Sequence, residues 1–193
     1  MRTASLLVLL IAPAGLAAQR PTAPAQSEQI AAAVLPLPRE FRDNATVLGY
    51  RGDAPALVTL RSGSGPFTCL ASDPAASQFH VACYHRSMEA FMARGRALRA
   101  SGVKGDDVDS ARFREVRTGK LRVPAGPSAL YSLTGGHFDP ASGTAPDAHA
   151  LFVVYMPGAT AETTGLSATP VPGAPWIMYP GTPKAHIMFV PRM

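Results

Sequence analysis

The sequence predicts an α+β fold: a largely antiparallel sheet built of hairpins, with two central amphipathic helices. Three observations lead there. Short β-rich runs come in neighbouring pairs around turn residues. Between Met88 and Val116 apolar residues recur at spacings of three and four. Strands and helices are segregated along the chain, not alternating as a parallel sheet built of strand–helix–strand units requires.

In chain order, residues 28–35 predict a short helix stopped by Pro36 and Pro38, because proline has no N–H to give a helix interior. Residues 45–50 and 56–61 predict a first hairpin around the turn Arg51-Gly52-Asp53-Ala54-Pro55. Residues 67–71 and 79–84 predict a second hairpin around 72–77. Met88, Phe91, Met92, Gly95 and Leu98 form one apolar stripe, with Glu89 in the first turn and arginines further along, the charge order a helix dipole favours. Asp106 and Asp107 open a second helix that Gly119 ends. Residues 129–134, 150–156, 175–179 and 185–190 return to strands, the last two facing each other across Pro180-Gly181-Thr182-Pro183. The segments 135–147 and 158–174, rich in Gly, Pro, Ala and Thr, are expected to be irregular, and long irregular segments often carry function.

Two features of the chain bear on compartment, the leader and the cysteines. Arg2 supplies a charge, residues 6–12 an apolar run, and Pro13, Gly15, Ala17 and Ala18 the breakers and small residues that follow, which is the order of a secretory signal over 1–18. The run falls short of the ~20 apolar residues a spanning helix needs. Residues 19–27 then read as a flexible leader and 28–193 as a single α+β domain, without stable membrane insertion once the signal is removed. Cys69 and Cys83, the only cysteines, would stand opposite each other in the second hairpin, and an oxidising compartment favours their pairing. The formal charge of +5 is a modest basic bias that permits anionic partners, and export sets nucleic acid aside.

The strings from Ala82 to Arg96 (ACYHRSMEAFMARGR) and from Pro175 to Met188 (PWIMYPGTPKAHIM) resemble a group of exported bacterial proteins to which no activity is attached. The resemblance implies a bacterial, periplasmic or secreted setting. It carries over no catalytic or binding residue.

Chemistry is thinly marked. The five histidines include no pair at helical spacing, so a metal site must draw on distant segments; His137, Asp139, His149 and His186 are the candidate set for zinc, and ordinary surface or hydrogen-bonded histidines are the plainer reading of the same residues. His186 with Met188, and His85 with Met88 and Met92, offer the imidazole and thioether ligands that suit Cu(I), though methionine commonly fills cores. Arg86, Arg94, Arg96 and Arg99 lie in a stretch, 86–122, with ten basic and five acidic residues, and their forks suit an anionic ligand or partner. The same composition also describes a solvated helix face. No serine sits in a Gly-x-Ser-x-Gly setting, and a disulfide would deny Cys83 the thiolate that pairing with His85 would need. Trp176 and Tyr179 suggest an aromatic platform. The expectation is an exported, disulfide-containing domain that binds a small ligand or a protein, needs no cofactor and does no catalysis; the alternative is a metal-dependent hydrolase on the histidine and aspartate set.

Overall fold

The computed structural model describes residues 20–191, so the expected signal over 1–18 lies outside the described residues. Eight strands form one sheet in the order β2-β1-β3-β4-β5-β6-β8-β7: β1 (Thr46–Gly49), β2 (Val58–Arg61), β3 (Phe67–Leu70), β4 (His80–His85), β5 (Ser128–Thr134), β6 (His149–Tyr155), β7 (Trp176–Met178) and β8 (His186–Phe189). All neighbours are antiparallel except β1 and β3, which run parallel because β3 lies on the far side of β1 from β2. The α+β class and the hairpin construction hold, and the parallel pair is an addition to them.

Among the described residues five α-helices accompany the sheet: α1 (Gln26–Ala33), α2 (Arg39–Arg42), α3 (Glu89–Ala100), α4 (Asp107–Arg117) and α5 (Ala161–Thr164). The first begins at Gln26, inside the expected leader. The residues before it are held by contacts: the Ala23 N–H donates to the Gly52 carbonyl at 2.8 Å, and Arg20 pairs with Asp73 and lies over the Tyr50 ring at 5.4 Å.

Strand register separates the two faces of the sheet, since side chains alternate along a strand. Tyr84, Leu130, Val153 and Met188 stand in one cross-strand row, and Met88, Phe91, Phe113 and Val116 of the helical segment pack there. Glycine at position 95 permits this close packing, because a Cβ there would lie 3.0 Å from the Arg112 guanidinium. On the opposite face Ala33, Val34, Leu37 and Phe41 cover Val47, Phe67, Cys69 and Cys83. Cys69 and Cys83 are register partners, fully buried and joined by a disulfide, with Cα atoms 4.0 Å apart.

No described helix is long and apolar enough to cross a membrane.

Candidate functional site

A second cross-strand row runs across the face that carries the disulfide: Cys83, Tyr131, Phe152 and Phe189 are successive register partners on β4, β5, β6 and β8. Aromatic contacts extend it. Phe41 of α2 meets Phe67 at 5.1 Å between ring centroids, Phe67 meets Tyr131 at 5.7 Å, and Tyr131 meets Phe152 at 5.4 Å, the last two edge-to-face as ring quadrupoles prefer. At one end this row lies under α1 and α2. At the other it emerges, and Phe189 is 38% exposed.

Over that open end stands the irregular segment that follows α5. Thr160 caps α5 by accepting from the Thr163 N–H, and Gly165, in the left-handed region at φ 69°, turns the chain out of it. Ile177 on β7 donates to the Ser167 carbonyl at 2.9 Å, which ties the start of the segment to the sheet edge. Pro170, Pro172 and Pro175 cannot donate to a ladder, so the chain between them arches as a strap and does not add a strand. Strap and sheet enclose a trough of about 900 Å³, floored by Ala129, Tyr131, Phe152 and Val154 and bounded by the strap, Phe189, Val190 and Pro191. Among the described residues no charged side chain lines it. Val171 on the strap and Val190 on the rim are exposed apolar side chains.

The candidate metal set is not assembled among the described residues. His149 stands opposite Thr134 and His186 opposite Tyr155, at the two ends of β6, and a strand rises ~3.3 Å per residue, so roughly 20 Å separates those ends. Asp139 is spent in its own turn, accepting from the Ala141 N–H at 3.0 Å and from the Ser142 hydroxyl at 2.6 Å, and these bonds, the hydroxyl's first, hold its carboxyl below the usual range. His137 is exposed on the loop after β5. Among the described residues no three His, Cys, Asp or Glu side chains come together as a metal site. The imidazole and thioether set fares similarly: Met88 is buried in the helical core, Met92 packs against it, and His186 is committed elsewhere.

Two of the four arginines expected to meet an anion are spent internally. Arg94 donates to both Glu115 oxygens, from Nε at 3.1 and 2.8 Å and from Nη2 at 2.6 Å, joining α3 to α4. Arg96 donates to the Tyr84 hydroxyl at 2.7 Å and to Glu89 at 2.6 Å, while burial and its bond to Glu89 push the Tyr84 hydroxyl well up. Arg86 and Arg99 stay exposed.

A buried polar network, absent from the sequence reading, joins α4 to the β7–β8 turn. Arg112, 4% exposed, pairs with Asp109 and lies over the Phe91 ring at 4.0 Å. Asp109 also accepts from Lys184 at 2.7 Å; burial opposes its charge, but the bonds from Lys184 and Arg112 hold its carboxyl below the usual range. His186 bonds the Lys184 carbonyl through Nδ1 at 2.7 Å and lies against Tyr155 and Tyr179, with centroids 4.9 and 5.7 Å away. Burial lowers the His186 pKa and raises that of Tyr155 to about 12. Tyr179 occupies the left-handed region at φ 53°, with the Lys184 ammonium 4.3 Å from its ring centroid. Arg112 Nε is buried without a partner among the described residues, and the network's signal in sequence was only the Asp109 and Arg112 pair at i, i+3.

Trp176 and Tyr179 do not make one platform. Register pairs Trp176 with Met188, in the row that faces the helices, although Trp176 also lines the trough at the sheet edge, and Tyr179 caps the polar network. The chain matches no family model, no curated protein and no solved structure.

Proposed function

We propose that the chain is an exported binding domain that holds a small, uncharged, largely apolar molecule in the trough between strap and sheet. The observation that carries this reading is an aromatic row covered by helices at one end and left open, inside a concavity, at the other. A volume of about 900 Å³ lies within the range of small-molecule sites, and apolar floors with few polar groups are their usual lining. A charged ligand would lose its hydration without finding a counter-charge among the described lining residues, which favours a neutral one. Binding suits a lining in which Tyr131 is the one titratable side chain among the described residues. The leader pattern over 1–18 and the disulfide support export, and the resemblance to exported bacterial proteins agrees with it.

Trp176 is the only tryptophan in the chain and borders the trough, so it reports on occupancy. Titration with the neutral probe N-phenyl-1-naphthylamine is expected to give saturable energy transfer from Trp176 at one site per chain. Phe189→Glu and Val171→Glu, which place a charge at the rim, are expected to weaken binding by about tenfold or more, the cost of ~1.4 kcal/mol of desolvation. Non-saturating transfer, or equal affinity in both variants, would refute the reading.

A further inference from the structure

A second cavity, of about 340 Å³, lies away from the trough, where the first turn of α1, the turn joining the disulfide strands and the loop after β5 meet. The loop reaches this place through Gly136, whose φ of +60° and close approach leave no room for a side chain: a Cβ there would stand 2.1 Å from the Pro146 carbonyl oxygen. Phe79 and Phe138 line the cavity, both partly buried.

The polar groups around it divide sharply. Asp73 is taken by Arg20 and by the Ala75 N–H at 2.8 Å. The Ser72 hydroxyl accepts from the His80 N–H at 3.0 Å. The Gln29 amide donates to the Pro24 and Tyr50 carbonyls at 2.8 and 3.0 Å and accepts from the Tyr50 N–H at 2.9 Å. Glu28 alone among the lining carboxylates has neither hydrogen bond nor ion pair to any described residue. His137, exposed on the loop after β5, also lines the cavity, so the lining offers Glu28 as its one unpartnered carboxylate beside two phenyl rings and an imidazole, since the Asp73 charge is cancelled by Arg20.

We infer that this cavity binds a small organic ammonium ion, with the cationic group paired to Glu28 and the apolar body against Phe79 and Phe138. A carboxylate supplies a charge-assisted hydrogen bond, and phenyl faces attract cations while tolerating hydrocarbon. A neutral molecule gains only the second contribution, and an anion meets repulsion. The cavity shares no lining residue with the trough, so this inference does not depend on the function proposed for the trough.

The test is calorimetric titration of the mature chain with three probes of matched shape: phenethylammonium, 2-phenylethanol and 3-phenylpropanoate. The ammonium is expected to bind about tenfold or more tightly than the alcohol, the worth of one charge-assisted bond, and the carboxylate not measurably. Glu28→Gln is expected to erase the preference for the ammonium while leaving the alcohol's affinity unchanged, and Glu28→Asp to restore part of it. Phe138→Ala weakens both ligands and keeps the preference, which covers the case in which Glu28→Gln folds poorly. Saturating the trough with N-phenyl-1-naphthylamine leaves the ammonium affinity unchanged. Equal affinity for ammonium and alcohol, an undiminished preference in Glu28→Gln, or no binding of the ammonium would overturn the inference.

Discussion

The two halves of one sheet face make the instructive contrast. Under α1 and α2 the aromatic row is sealed, with Phe67 at 5% exposure, Cys69 and Cys83 at 0%, and a covalent bond between adjacent strands. Beyond Tyr131 the same row continues in the same register with no described helix over it, and a proline-rich strap stands above it. Sequence chemistry on the two sides is alike. What differs is the covering element, so the first half is a core and the second is an open, concave apolar surface.

Substitutions should separate the halves, beginning with the largest effect. Phe67→Ala removes a buried ring from the sealed half and is expected to cost about 3–5 kcal/mol, read as a fall in the denaturant midpoint with unchanged slope. Joint replacement of Cys69 and Cys83 by Ala, which opens a loop of sequence separation 14, is expected to cost about 3 kcal/mol in the same measurement. A loss as small as that of a surface substitution in either case would deny that this half is the core. Phe189→Ala, on the open half, is expected to change stability by less than about 1 kcal/mol while weakening the apolar probe several-fold. A large stability loss without a binding change would turn the contrast round.

The smallest effect concerns pH. Burial lowers the His186 pKa, so the unfolded chain takes up its proton first as pH falls. This contribution is present above the ordinary histidine value of about 6.5 and is lost as pH drops through it toward the folded value. Asp109, held below the usual range, adds a further loss when pH falls below the ordinary carboxylate value of about 3.9. A His186→Gln variant should show a flatter stability profile between pH 7 and pH 5; a profile identical to that of the native chain would remove the histidine from the account.

Much of the fold was legible because it is local. The turn residues at 51–55, 72–77 and 180–183 fix three hairpins, and the stripe from Met88 to Leu98 fixes α3. Cys69 and Cys83 could be paired by symmetry about the turn. Pairings between distant segments were not legible: nothing local requires β3 to lie parallel to β1, or β8 to lie between β6 and β7. The candidate site suffered for the same reason. His149 and His186 are compatible as ligands in sequence, and only the register of β6 shows them at opposite strand ends. Arg94 and Arg96 read as free cations until α4 and Tyr84 are placed beside them. The strap was anticipated as an irregular segment, but its role as a wall depends on which sheet face the helices leave bare.

The most direct test of the central claim is to locate a bound apolar molecule on the chain. Photocrosslinking with a neutral aryl diazirine, followed by peptide mass spectrometry, is predicted to label residues 129–131, 152–154, 170–176 and 189–191, with unlabelled N-phenyl-1-naphthylamine competing it away. Saturable labelling confined to the helical face, or labelling at the trough that the competitor leaves untouched, would contradict the account.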